Sequence, residues 1–132
     1  MGEHGTLLSG RYELGTALGR GGTATVYRAH DHRTGGDVAL KLFTAPESVA
    51  GGRDHREIEI LVGLRHPGLV GFRDAGTSDD RLFVVTDLVE GESLARALRR
   101  APLAADAVAA LGAELADALA YVHGRGVVHR DV

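Results

Sequence analysis

Three strand-like segments follow one another near the start of the chain, joined by connections too short to contain a helix. They cover 11–18, 25–30 and 37–43; the first ends at the glycine cluster 19–22, and the turn sequence DHRTGG separates the other two. Strands with short connections pair antiparallel, because a parallel pair needs a long crossover. The pattern therefore predicts an antiparallel meander rather than an alternating βαβ sheet.

The rest of the sequence adds helices and two further strands. Apolar residues three and four apart predict helices over 53–64, 93–100 and 104–123, while 69–75 and 81–88 have the composition of strands. Ser93 is the expected N-cap of the second helix. The order of three strands, a helix, two strands and then helices indicates the α+β class, with a five-stranded antiparallel sheet.

Composition narrows the classes of function. The chain has 132 residues, of which 44% are hydrophobic and 25% charged, as in soluble globular proteins. A net charge of −3 argues against a nucleic-acid binder with a broad basic surface. The absence of cysteine excludes disulfides and thiolate chemistry. No apolar run approaches the ~18 residues of a membrane span and the first ten residues lack a signal-peptide pattern, so we expect a cytoplasmic protein.

The glycine cluster suggests a phosphate site. Gly19, Gly21 and Ala24 occupy the positions of a G-x-G-x-x-G pattern, which also occurs in ordinary hairpin turns. A dinucleotide-dependent oxidoreductase would need a helix directly after the glycines. The strand-like segment that follows disfavours that reading. Glycines between antiparallel strands instead suit a flap whose backbone N–H groups approach the phosphates of a nucleotide.

Lys41 is the only lysine in the chain; the other 14 basic residues are arginine. Period-two alternation places 38, 40 and 42 on one face of the third strand and 39, 41 and 43 on the other. An edge-strand lysine pointing into water is the ordinary alternative, but a compact ammonium can reach between phosphates and a carboxylate where a planar guanidinium would not fit. Glu57, on the predicted packed face of its helix, is the candidate carboxylate; a surface pair with Arg53 is the alternative.

Four motifs occur in a recognisable order. LGRGGTATV over 18–26, VALK over 38–41, Glu57 ten residues before Pro67, and VHRDV over 128–132 together resemble the eukaryotic-like protein kinases, in particular the serine/threonine kinases of bacteria. The resemblance implies a tail over 1–10, a kinase small lobe with an ATP cleft over 11–88, and the hinge with the first helices of an incomplete large lobe over 89–132.

The resemblance also implies roles for individual residues. Lys41 would hold the α- and β-phosphates of ATP and pair with Glu57, and Asp131 would orient the substrate hydroxyl and accept its proton. Thr86 would be the gatekeeper at the end of the fifth strand, followed by a hinge over 87–89. The implied ATP site comprises Leu18, Gly19, Arg20, Gly21, Gly22, Ala24, Val26, Ala39, Lys41, Thr86, Asp87, Val89 and Ser93.

Parts of the kinase pattern are missing. Kinases of this type hold Mg²⁺ with an asparagine and a D-F-G aspartate that follow the H-R-D motif. The sequence contains no asparagine, and it stops one residue after Asp131. We expect a fragment covering the first half of a kinase domain, inactive alone, with its Mg²⁺ ligands beyond residue 132. The alternative is a non-catalytic nucleotide-binding or dimerising module that regulates a kinase.

The last predicted helix carries an apolar stripe. In a kinase this stripe would pack against large-lobe helices, so we expect self-association through 104–123. The other implied partners are ATP and a protein substrate of unknown identity, with neither nucleic acid nor membrane. The stripe consists of Val108, Leu111, Leu115, Leu119 and Val122.

Overall fold

The computed structural model describes residues 5–46 and 63–126. Across these residues the chain forms six strands and two complete helices. The strands are β1 (Leu7–Leu8), β2 (Tyr12–Arg20), β3 (Ala24–Asp31), β4 (Asp37–Pro46), β5 (Phe72–Ser78) and β6 (Arg81–Asp87), and the helices are α1 (Leu94–Arg100) and α2 (Ala105–Gly124).

The described strands form one antiparallel sheet in the order β1-β2-β3-β4-β6-β5. The α+β class is confirmed, but the count of five strands is wrong because β1 adds a sixth. Leu7 pairs with Glu13 and Leu8 with Tyr12, within a segment that was expected to be a tail. A two-residue strand is too short to show periodicity, yet Leu8 is buried in the core.

The apolar core lies on one face of this sheet. The predicted alternation in β4 is confirmed, because Val38, Leu40 and Leu42 are all buried. Cross-strand neighbours share a face of an antiparallel sheet, and those of β4 complete the core: Tyr27 and Ala29 on β3, and Phe83 and Val85 on β6.

The sheet curls around this core. The rings of Tyr12 on β2 and Phe83 on β6 lie 5.9 Å apart between centroids, although β3 and β4 separate the two strands in the sheet. The Tyr12 hydroxyl also donates a hydrogen bond of 2.7 Å to Asp74 Oδ2 on β5. Burial together with this bond raises the pKa of Tyr12. Strands from opposite ends of the sheet therefore meet across the core.

The hairpin between β5 and β6 is tighter than the sequence suggested. The strand predicted to end at residue 75 continues to Ser78, because residues 76–78 still pair with 81–83. Only Asp79 and Asp80 form the turn, with φ of 49° and 63°. Two left-handed residues are typical of the type I′ turn that suits two-residue hairpins, and aspartate tolerates this conformation.

A second compact unit contains the segment Leu64–Val70 and both helices, whereas the strands belong to the first unit. The Ser93 cap is confirmed, since its Oγ accepts the N–H of Arg96 at 3.2 Å. His66 joins the segment to α2: its Nδ1 accepts the N–H of Gly68, so Nε2 carries the proton that it donates to Asp117 Oδ2 at 2.8 Å. The helix predicted over 53–64 lies outside the described residues except at its last two positions.

Candidate nucleotide-binding site

One row of residues crosses four strands on the sheet face opposite the core. Gly19 on β2 is opposite Val26 on β3, Val26 is opposite Lys41 on β4, and Lys41 is opposite Val84 on β6. Residues directly opposite one another point to the same side of the sheet. The lone lysine therefore lies between two valines, and its side chain is exposed while theirs are half-buried.

A second row runs beside the first on the same face. Ala39 on β4 is opposite Arg28 on β3 and Thr86 on β6, and Thr86 is opposite Phe72 on β5. Ala39 and Thr86 are half-buried, and the Thr86 hydroxyl donates to its neighbouring carbonyl at Asp87. The small side chains of Val26, Ala39 and Thr86 thus form a low apolar surface next to the ammonium of Lys41, on which a flat aromatic ring can lie.

The glycine cluster forms the hairpin between β2 and β3. The N–H of Gly21 donates to the carbonyl of Ala24 at 2.8 Å, and the N–H and hydroxyl of Thr44 both donate to the carbonyl of Thr23. The first bond closes the hairpin on itself, and the two bonds from Thr44 attach it to β4. Among the described residues, a Cβ added to Gly19 or Gly22 meets no heavy atom within 4 Å. The backbone there faces open space, which fits a ligand that approaches the N–H groups closely.

Lys41 leans toward this hairpin. Its Nζ lies 5.4 Å from the ring centroid of Phe43, two residues further along β4. Phe43 is opposite Ala24, the residue at the third position of the glycine pattern. The positive charge therefore stands at the hairpin end of the surface. Glu57, the predicted carboxylate partner, and Asp131, the predicted base, lie outside the described residues.

The remaining predicted residues take varied positions. Leu18 is an extra residue between the pairs that Ala17 and Gly19 make with β3, and it is exposed. Arg20 is opposite Thr25 at the end of β2. Val89 and Ser93 belong to the second compact unit, where Val89 is exposed and Ser93 caps α1.

Asp87, a predicted hinge residue, ends β6. Its N–H donates to the carbonyl of Gly71 at 2.8 Å, and its carboxylate accepts from Arg73 Nη1 at 3.0 Å. The N–H is thus already used within the first unit. The carbonyl of Asp87 accepts the hydroxyl of Thr86 at 3.3 Å.

A sequence model of the protein kinase domain matches residues 12–132. The chain belongs to the protein kinase domain family. It is 42% identical over 134 residues to the DNA damage-responsive serine/threonine-protein kinase RqkA of Deinococcus radiodurans, with 97% of this chain and 20% of that protein covered. It is 40% identical over 139 residues to the serine/threonine-protein kinase PkaA of Streptomyces coelicolor, with 92% and 25% covered.

Solved structures agree with this assignment. A mutant of the Mycobacterium tuberculosis PknI kinase domain matches this kinase chain with a TM-score of 0.83 and 30% identity, over 100% of this chain and 55% of that one. Rad53 1-466 in complex with AMP-PNP matches with a TM-score of 0.82 and 26% identity, over 92% and 33%. The chain spans roughly a quarter of the length of the curated relatives, between 20% and 28% for the first four.

Sequence reasoning did not identify Val84 as a neighbour of Lys41. The alternation of residues in β6 could have identified it, because Val84 is two residues before Thr86 and so lies on the same face of the strand.

Within residues 5–46 and 63–126, no helix is long and apolar enough to cross a membrane. The same part of the chain contains no group of three histidine, aspartate or glutamate side chains arranged to hold a metal ion.

Proposed function

We propose that this kinase domain binds ATP on the outer face of its sheet and that the whole protein transfers the γ-phosphoryl group to serine or threonine hydroxyls of proteins. One observation carries the proposal. The only lysine of the chain stands between an open glycine hairpin and a surface of small apolar side chains, all on one face of the sheet. The names of the bacterial relatives, and the nucleotide analogue in the Rad53 structure, support it.

The chemistry of the residues present fits ATP. Backbone N–H groups of the hairpin 19–24 would bind phosphate oxygens, and the Lys41 ammonium would neutralise charge on the α- and β-phosphates. The adenine ring would lie against Val26, Ala39 and Thr86, beside Arg28, whose guanidinium is paired with Asp37. The nucleotide would then lie along β4, with the adenine base near Ala39 and the phosphates near Phe43.

Magnesium is expected with the nucleotide, since in this family it neutralises the phosphates and fixes their geometry. The described residues hold no metal-binding cluster. In the family its ligands are the asparagine and the D-F-G aspartate that follow the H-R-D motif, and no step is assigned to the ion here. Use of ATP makes the cytoplasm the proposed location of the domain.

The test is a calorimetric titration of Mg-ATP into the wild type and Lys41→Met, Lys41→Arg and Arg33→Met variants. We expect Lys41→Met to weaken binding roughly 10- to 100-fold, the usual effect of losing a charged hydrogen-bond donor. Lys41→Arg should also weaken binding, because a guanidinium does not fit the place of an ammonium. Arg33→Met removes the same charge from the exposed β3–β4 turn and should leave affinity unchanged. Equal losses in Lys41→Met and Arg33→Met, or a wild type that does not bind, would contradict the proposal.

The second candidate function is a dimerising nucleotide-binding module without catalysis. The apolar stripe of α2 favours it, since Val108 is 54%, Leu111 37% and Leu115 45% exposed. Light scattering at tens of micromolar, on the wild type and on Leu111→Ser, separates the two candidates. A dimer that Leu111→Ser dissociates, in a whole protein that binds Mg-ATP without transferring phosphate, would establish this second function. A monomeric wild type would exclude it.

A further inference from the structure

We propose that Phe43 is a positioning residue for Lys41: its aromatic ring holds the ammonium at the glycine-hairpin end of the nucleotide surface before ATP binds. This inference rests on the proposed function, because the position matters only if phosphates lie under the hairpin. It concerns a residue to which neither the glycine pattern nor the V-A-L-K motif assigns a role.

The geometry is that of a cation–π contact. The Lys41 Nζ is 5.4 Å from the Phe43 ring centroid, inside the ~6 Å within which such contacts stabilise a cation. Both side chains project from the same face of β4, two residues apart. Among the described residues, no carboxylate lies within salt-bridge distance of Lys41. In this part of the chain, the Phe43 ring is therefore the observed partner of the Lys41 ammonium.

The contact selects a direction for a flexible side chain. Lysine has a four-carbon stem and can lean either way along its strand. Leaning toward Ala39 would bring the ammonium under the proposed adenine surface. Leaning toward Phe43 brings it beside Ala24 and below the hairpin, because Phe43 is the cross-strand partner of Ala24. The ring therefore favours the orientation that meets phosphates.

A purely structural role for this ring is the competing explanation. The core of the sheet lies on the opposite face and does not include Phe43, which is only half-buried. Removing an aromatic ring from this position would therefore leave the packed cluster around Leu40, Leu42 and Phe83 intact. The fold and the lysine position can be measured separately.

The experiment uses the single lysine as its own label. Selective labelling of lysine gives one set of side-chain NMR resonances in this chain, measured without nucleotide in wild type, Phe43→Leu, Phe43→Tyr and Phe72→Leu. We expect the Lys41 Hε protons to be shifted upfield by the ring in wild type and Phe43→Tyr, and to move to the position of a free lysine in Phe43→Leu. Phe72 is separated from β4 by β6, so the matched Phe72→Leu change should leave the resonance in place.

Affinity for Mg-ATP, measured on wild type, Phe43→Leu and Phe43→Tyr, should fall roughly two- to fivefold in Phe43→Leu alone, which is the usual size of an exposed cation–π contact. An unchanged Hε shift in Phe43→Leu overturns the inference, as does a lost shift with unchanged affinity. If the wild type shows the upfield shift and binds no Mg-ATP, the proposed function fails instead. Phe43→Met, which keeps the volume without the ring, replaces Phe43→Leu if the latter loses its amide dispersion.

Discussion

Arg11 and Asp31 are joined by two parallel hydrogen bonds, from Nε to Oδ1 at 2.8 Å and from Nη2 to Oδ2 at 2.9 Å. The N–H of Arg33 and the hydroxyl of Thr34 donate two more bonds to the same carboxylate, which is buried. Arg11 also lies 3.7 Å from Asp74 on β5. This group of polar residues connects the start of β2 to the β3–β4 turn and to the far edge of the curled sheet.

We expect Asp31→Asn to lower the free energy of unfolding by about 3 kcal/mol, because it removes the buried negative charge to which Arg11, Arg33 and Thr34 donate. Urea denaturation followed by circular dichroism measures the change. Asp37→Asn is the matched control: Asp37 pairs with Arg28 and His30 on the exposed surface, so its loss should be much smaller. Equal losses of unfolding free energy in the two variants would show that the Arg11–Asp31 pair stabilises the fold no more than an exposed ion pair does.

The same pair predicts how stability depends on pH. The hydrogen bonds from Arg11 hold the pKa of Asp31 well below its ordinary value of 3.8. A carboxyl group whose pKa is lowered by folding stabilises the fold above its unfolded pKa and loses that contribution as the pH falls through the folded value. Stability of the wild type should therefore decline as the pH drops below about 5, and more steeply than that of Asp31→Asn. Parallel curves for the two proteins over this range would contradict the assignment.

Packing around Gly76 supplies a test of the curled core. A Cβ at residue 76 would come within 2.8 Å of Phe83 Cζ, and the Phe83 ring is fully buried and contacts the Tyr12 ring edge to face. Because the ring has no free space to move into, Gly76→Ala should destabilise the domain by about 1–3 kcal/mol, the usual range for an overfilled core. Gly36→Ala is the control, since its Cβ would meet only Thr34 Oγ1 at 3.9 Å. Calorimetric melting of both variants checks the difference.

Local pattern was enough to predict most of the sheet. Alternation in 37–43 identified both the buried side of β4 and the opposite side with Lys41, because one face of an antiparallel strand is packed and the other is not. The alternation pattern failed where a strand was too short to show it, or where polar residues in a strand resembled those of a loop. Leu7–Leu8 is too short to alternate, and the polar residues Thr77 and Ser78 looked like a loop although they pair with β6.

The site was predicted less completely, because its parts come from different strands. Spacing within β4 put Ala39 and Lys41 on one side, but only the register brings Gly19, Val26 and Val84 into the same row. The network around Arg11 and Asp31 was missed altogether, since charged residues in a turn carry no periodicity that marks them as buried. The roles of Glu57 and Asp131 stay predictions.

We expect Thr86 to limit the room that the proposed adenine surface offers. Its short side chain stands beside Ala39, so Thr86→Met would extend a flexible thioether over the row that they form. We expect a bulky ATP-competitive inhibitor to bind Thr86→Met about tenfold more weakly, equivalent to ~1.4 kcal/mol, while Thr86→Val, of nearly the same volume, keeps its affinity. Competition against a fluorescent nucleotide measures both. Equal inhibitor affinity in the Met and Val variants would show that this side chain does not border the inhibitor.

Binding and phosphoryl transfer should separate in the 132-residue chain. Transfer in this family depends on metal ions held by an asparagine and an aspartate, and this chain contains no asparagine. With Mg-ATP and a general substrate such as casein, we therefore expect saturable ATP binding without incorporation of labelled phosphate into casein or the chain itself. Incorporation that disappears in Asp131→Asn would contradict the prediction, because it would mean that the H-R-D aspartate works here without the asparagine that accompanies it in the family. Incorporation that persists in Asp131→Asn identifies a contaminating kinase, which a Lys41→Met preparation purified in parallel would also contain.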